Sequence, residues 1–172
     1  GKVALITGAS DRGIGGAIAM RLASEGAALS LVSRTSPGRL LKRLAKHEHG
    51  VVFTTGDVTK ADDVRRTVDD CMEEFGKIDV VVNNAGVEIA RAFDRFTDDE
   101  WRQVLDVNLH GAIAVTRAAL PHLAEPGGVI VNISSALALG GCPGFSIYSA
   151  SKAALVGLTQ SLAWELAPKG QR

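Results

Sequence analysis

Short apolar runs alternate with stretches of helical periodicity from one end of the chain to the other. Val3–Thr7, Leu29–Arg34, Val51–Thr55, Ile78–Val82 and Gly127–Ile133 are rich in β-branched and long aliphatic residues. Runs of that length without polar alternation predict strands covered on both faces, as in a parallel sheet. Between them, Ile14, Ile18 and Leu22 recur at helical spacing up to Gly26, and Thr35–His49 reads as a basic amphipathic helix. Val64, Val68, Cys71 and Met72 mark a charged helix over Ala61–Phe75. Thr97-Asp-Asp-Glu100 has the capping-box pattern and opens a long helix, with Pro121 near its end. Its apolar face is expected to carry Trp101, Leu105, Leu109, Ile113 and Leu120. Ala136–Ile147 is loop-like, with Gly140, Gly141, Pro143 and Gly144. A final helix carries Tyr148, with Leu155, Leu158, Leu162 and Leu166 expected to be buried. The alternation predicts an α/β fold, a doubly wound parallel sheet between two layers of helices.

No linker, low-complexity tract or internal repeat marks a second unit, so residues 1–172 read as one domain. Lys plus Arg equals Asp plus Glu at 19 each, which leaves no net field to attract nucleic acid or an anionic membrane. No apolar run approaches a membrane span and no signal peptide is recognisable, so a cytoplasmic protein is expected. Cys71 and Cys142 lie far apart, and His47, His49, His110 and His122 form no metal motif. Neither a disulfide nor a metal site is therefore expected.

Candidate chemistry gathers where strands end. The first strand runs into Gly8-Ala-Ser-Asp-Arg-Gly13-Ile-Gly15-Gly16 and then a helix. Glycines there let a backbone approach a pyrophosphate, and the helix start supplies free N–H groups. The same glycines also suit plain turn geometry, so this segment leaves both readings open. At the end of the second strand, a carboxylate would bond the ribose 2′-hydroxyl of NAD, whereas arginine accommodates the 2′-phosphate of NADP. No Asp or Glu occurs from Ala27 through Lys46, and Ser33-Arg34 stands at that place. Arg12, inside the turn, offers a second cation. Together these favour NADP over NAD. Asp57-Val58 follows the third strand at the rim where an adenine would lie, although Asp57 also suits a helix entry. Asn83-Asn84-Ala85-Gly86 closes the fourth strand with small residues. Asn108 is a polar amide within the long helix with no cap to make.

Tyr148 and Lys152 stand at i and i+4 on one helix face. A phenol is a poor acid or base near neutrality, with an ordinary pKa of about 10, and a neighbouring ammonium favours its phenolate. Taken alone, the pair also fits ordinary helical packing.

The pieces Thr7-Gly8 through Gly15, Asp57-Val58, Asn83-Asn-Ala-Gly86, Asn108, Ser135 and Tyr148 with Lys152 occur in one order along almost the whole chain. In that order and on those elements, the sequence resembles the short-chain dehydrogenases/reductases, with a general likeness to 3-oxoacyl-carrier-protein reductases. The resemblance implies a Rossmann-type sheet and hydride transfer between a nicotinamide cofactor, NADP, and a ketone or secondary alcohol. It implies that Gly8, Ser10, Arg12, Gly13, Ile14, Gly15, Arg34, Asp57, Val58, Asn84, Ala85 and Gly86 surround the cofactor. Tyr148 would exchange a proton with the reacting oxygen, and Ser135, rather than Ser134, would hydrogen-bond it. Lys152 would bond the nicotinamide ribose and favour the phenolate, and Asn108 would hold a water leading to the lysine. Partners implied are a small carbonyl or alcohol substrate, such as an acyl thioester, and further copies of the chain. A tetramer or dimer would form through the Trp101 and Lys152 helices. The alternative is a nucleotide-binding or association module without turnover.

Two departures stand out. Four residues, Ala9-Ser10-Asp11-Arg12, separate the first two glycines of the turn where the family has three. The family also continues past Lys169-Gly-Gln-Arg172 into further strands. A fragment of a longer protein is therefore expected, with the fifth strand left as an unpaired edge.

Overall fold

The computed structural model describes residues 1–172. Five strands, β1 (Val3–Thr7), β2 (Ala28–Ser33), β3 (Val51–Thr55), β4 (Val80–Asn83) and β5 (Val129–Asn132), form one sheet in the order β3-β2-β1-β4-β5. Every pairing is parallel. Helices α1 (Ile14–Ser24), α2 (Gly38–Leu44), α3 (Ala61–Phe75), α4 (Asp98–Leu105), α5 (Gly111–Ala119), α6 (Leu137–Gly140) and α7 (Ser146–Leu166) complete the Rossmann-type α/β fold.

The central strand shows why the apolar runs were unbroken. Val3 and Leu5 enter a cluster with Val64, Val68, Val81 and Val115, under α3 and α5. Ala4 and Ile6 enter the opposite cluster with Ala19, Ala23, Leu31 and Leu40, under α1 and α2. Successive side chains point to opposite faces, so a strand covered twice has no polar position to show. Full burial of each large aliphatic side chain contributes about 1.5–3 kcal/mol.

Several predicted elements change extent. The basic segment forms a helix only over Gly38–Leu44, because Pro37 stands at its entry and Leu40 and Leu44 supply all its buried anchors. The long helix begins at the expected box, with Thr97 accepting from the Glu100 N–H and the Glu100 carboxylate accepting from the Thr97 N–H. It then passes through a π-helical turn over Asp106–His110 before α5. That wider turn shifts the phase of the helix, and Val104, Asn108, Ala112, Val115 and Ala119 face inward. Trp101, Leu105, Leu109 and Ile113, expected on the buried face, flank it and stay partly exposed. In α7, Leu155 and Leu166 are buried while Leu158 and Leu162 are only partly so. The loop before α7 contains the single-turn α6.

The fifth strand is an edge, but not a bare one. Arg172 donates its N–H to Gly128 O at 3.0 Å and accepts from the Ile130 N–H at 2.7 Å. Beside it Gln171 is buried, and its amide donates to Leu123 O at 3.1 Å.

At the opposite end of the sheet from the glycine turn, Asp79 leads into β4 with its side chain only 4% exposed. It accepts from the Val3 N–H at 2.8 Å and pairs with Lys2 at 2.9 Å and Lys77 at 3.0 Å. Burial alone would raise its pKa, but the hydrogen bonds from Lys2, Lys77 and Val3 outweigh burial and hold the carboxyl below its ordinary value. A carboxyl whose folded pKa is depressed adds stability above its unfolded pKa, and that stability is lost as pH falls through the folded value. Asp79→Asn is expected to cost about 1–2 kcal/mol at pH 7, a range kept low because both lysines are solvent-screened. Urea unfolding should show the gap to wild type closing below about pH 4. A gap that stays constant down to pH 3 would contradict this account.

Candidate active site

The order β3-β2-β1-β4-β5 makes the chain leave β1 and β4 in opposite directions, opening a crevice at their carboxyl ends. One residue from each strand's end holds the two lips together. The Thr7 hydroxyl accepts from the N–H groups of Asn84 at 3.1 Å and Ala85 at 3.0 Å. The Asn84 amide donates back to Thr7 O at 2.9 Å and Gly8 O at 3.1 Å. This contact requires two of the glycines. A Cβ on Gly8, at φ +69°, would stand 2.8 Å from Ala85 Cα, and one on Gly15 would stand 2.5 Å from Asn84 Nδ2.

The lengthened turn folds on itself. A Cβ on Gly13 would collide with the Ser10 hydroxyl, and one on Gly16 with Ser10 O. Ser10 thereby faces the crevice, while the two following residues are expelled. The Asp11 carboxylate accepts from the Leu40 N–H at 2.9 Å, tying the turn to α2, and Arg12 is exposed outside the lining. Which of Ser10, Asp11 and Arg12 faces the crevice was open in the sequence; in the structure it is Ser10.

The crevice encloses about 500 Å³, within the range of small-molecule and cofactor sites. Gly8, Ser10, Gly13 and Ile14 line one end and Ser33 and Arg34 the rim. Asp57 and Val58 lie at the side, and Asn84, Ala85 and Gly86 along the floor. Gly15 is buried behind the turn instead of lining the space. Asp57 is not the cap of α3, which Lys60 occupies; its carboxylate accepts from the Thr59 N–H at 2.9 Å and hydroxyl at 2.8 Å. Val87 and Val107, also in the lining, carry no chemical signal that a sequence reading would single out.

A second space of about 220 Å³ shares Ile14, Asn84, Gly86 and Val87 with the crevice and continues it to Ile133, Ser134, Tyr148, Lys152 and Glu88. Lys152 is 4% exposed, and its ammonium donates to Ile133 O at 2.8 Å. Burial holds its pKa below the usual lysine value. The ammonium lies 5.8 Å from the centre of the Tyr148 ring. Ser134 lines this space with its hydroxyl committed to Lys152 O, to which it donates at 2.8 Å. The Ser135 hydroxyl accepts from the Leu137 N–H at 3.2 Å, which leaves its own proton free to donate.

Asn108 explains itself once the π-helical turn is in view. Its Oδ1 accepts from the Val87 N–H at 2.8 Å, and its amide donates to Val87 O at 3.0 Å and to the Ser151 hydroxyl at 3.0 Å. Ser151 in turn donates to Tyr148 O at 2.7 Å. Asn108 thus fixes the segment beyond Gly86 against the helix that carries Tyr148 and Lys152. Ser151 is a positioning residue that sequence reading missed, since a serine between two catalytic candidates has no spacing of its own. A second network does the same for the end of β5. Asn83 donates to Thr116 at 2.9 Å and to Asn132 at 2.8 Å, and Asn132 donates to Thr159 at 2.8 Å.

Comparison with known proteins places this arrangement. A profile described as short chain dehydrogenase matches residues 2–172. The 11-beta-hydroxysteroid dehydrogenase-like 2 of Arabidopsis thaliana is 40% identical over 172 residues, covering 98% of this chain and 56% of that protein. The 3-oxoacyl-acyl-carrier-protein reductase of Thermotoga maritima is 37% identical over 177 residues, covering 100% of this chain and 71% of the relative. The chain thus spans between about half and about 70% of the length of such relatives. Among solved structures, a short chain dehydrogenase from Burkholderia cenocepacia in complex with NADP superposes with a TM-score of 0.93 at 40% identity, over 99% of this chain and 70% of that one. The sheet order, the crevice and the profile match over nearly its full length agree: the chain belongs to the short-chain dehydrogenase/reductase family.

Proposed function

We propose that the chain carries the cofactor and proton-transfer machinery of an NADP-dependent oxidoreductase that interconverts a ketone and a secondary alcohol. The observation that carries this reading is the continuity of the two spaces, a dinucleotide-sized crevice opening onto a small pocket lined by Tyr148 and Lys152. The residues fit the cofactor: the glycine turn leaves backbone exposed at one end, Arg34 stands at the rim, and no carboxylate ends β2. When bound, the cofactor supplies a hydride to the carbonyl carbon, or accepts one from the alcohol carbon.

The chain's own residues handle the oxygen. In reduction, Tyr148 gives its phenolic proton to the oxygen as negative charge develops there; in oxidation it removes that proton. The positive charge of Lys152 stabilises the phenolate that remains, and its unused donors suit the nicotinamide ribose. Ser135 donates its free proton to the same oxygen. A water reaching Lys152 would meet Asn108 at the remaining lone pair of Oδ1, since both amide protons are committed to Val87 and Ser151. The presence of both Tyr148 and Lys152 at one pocket favours turnover over a nucleotide-binding module alone.

No helix of the chain is long and apolar enough to cross a membrane, and Cys71 and Cys142 are both free thiols, which suits a cytoplasmic setting. The partly exposed stripe of Trp101, Leu105, Leu109 and Ile113, together with Trp164 at 84% exposure on α7, supports a homo-oligomer formed through these helices.

Tyr148→Phe is expected to lower turnover by about a hundredfold or more, with NADPH affinity changed by less than about threefold. Steady-state kinetics beside a cofactor titration check this, and undiminished turnover would remove Tyr148 from the mechanism. Arg34→Asp is expected to weaken NADPH by about 30-fold and NADH by only a few-fold, since one charge-assisted contact is lost and a repulsion gained. Equal losses for the two cofactors would show that Arg34 does not read the phosphate.

A further inference from the structure

The charges around the small pocket are unevenly compensated. Lys152, on its inner wall, bonds Ile133 O. Further along the segment after β4, Arg91 pairs with Glu100 at 2.7 Å and Arg95 lies 3.6 Å from Asp94. Glu88, which lines the pocket with Tyr148, Ser134 and Ile133, has neither a salt bridge nor a side-chain hydrogen bond, whereas the flanking acids Asp94 and Glu100 both have cationic partners. Glu88 is exposed at the edge of a volume of about 220 Å³, large enough for a ketone and its nearest substituents, and no cation of the chain neutralises it there. The neighbouring backbone is fixed, because Asn108 holds both polar groups of Val87. Glu88 thus follows directly on a residue that Asn108 pins, in the irregular segment after β4.

Resting on the oxidoreductase reading above, we propose that Glu88 is a specificity-determining residue. It selects carbonyl substrates that bear a hydrogen-bond donor, hydroxyl or ammonium, close to the reacting carbon, and rejects those that bear a carboxylate or phosphate there. A carboxylate accepts from either donor, and an anion a few ångströms away is repelled. The remaining wall, Ile14, Val87 and Ile133, offers apolar contact that does not discriminate charge.

The test uses a matched set of small ketones differing only in one terminal group: butanone, hydroxyacetone, aminoacetone and acetoacetate. For wild type, Glu88→Gln and Glu88→Lys, two quantities are measured: kcat/KM with NADPH, and binding of each ketone to the NADP-loaded protein by saturation-transfer NMR. Wild type is expected to favour aminoacetone over acetoacetate by about tenfold or more in both measurements, with hydroxyacetone between them. Glu88→Gln should collapse that ratio while leaving butanone within about twofold, and Glu88→Lys should invert it. The proposal is overturned if the binding ratio is the same in Glu88→Gln, if butanone falls equally, or if wild type shows no charge preference in binding. Failure of the oxidoreductase reading is separate: it would appear as no turnover of any ketone by wild type, while the binding ratio still reports on Glu88.

Discussion

The mutual hydrogen bonds between Thr7 and Asn84 are the constraint on which the rest of the site depends. A parallel sheet that reverses its order must part after two neighbouring strands, and the parted backbones leave N–H and C=O groups that the ladder no longer satisfies. Here the Thr7 hydroxyl takes two of those N–H groups, and the Asn84 amide takes two carbonyls. The crevice is thereby held open at a fixed width without losing backbone hydrogen bonding. The close approach sets the sequence of the turn as well, since neither Gly8 nor Gly15 has room for a side chain. Glycine here serves the protein's own packing first, and a cofactor's approach second.

Beyond that lip, polar side chains deep in the fold convert a stable sheet into a positioned site. Lys152 is an ammonium taken largely out of water, which is costly, and a single carbonyl answers it within the chain. Such a group is retained for what it does to its neighbours more than for stability. Asn108 and Ser151 set where that charge stands relative to the segment beyond Gly86. The π-helical turn is what brings Asn108 inward, so an irregularity in a helix and an amide at its centre have one explanation.

Most of the architecture was legible in the sequence because strands buried on both faces read as unbroken apolar runs. Ala61–Phe75 emerged with the expected bounds, and the Thr97 capping box formed as its spacing required. The misreadings share a cause: periodicity assumes an unperturbed helix. The inward face already runs through Val104 in α4 and continues through Asn108 in the π-helical turn, in place of Trp101, Leu105 and Leu109, and Pro37 shortened the basic helix from its start. Tyr148 and Lys152 stand at one pocket and Arg34, Asp57 and Asn84 around the crevice, whereas Ser135, on the turn that follows β5, lines neither space. Arg12 does not join them, because folding the turn around Ser10 drives it outward. Residues that act only through others, Ser151, Asn132 and Thr159, were invisible to spacing. Their partners on other elements lie 27 to 49 residues away in the chain.

The central claim is that the crevice between β1 and β4 is a dinucleotide site that reads a 2′-phosphate. A fluorescence titration of the unmodified chain with NADPH and, separately, with NADH tests it most directly. Saturable NADPH binding, tighter than NADH by about tenfold or more, is the predicted result. Equal affinities, or tighter binding of NADH, would contradict it.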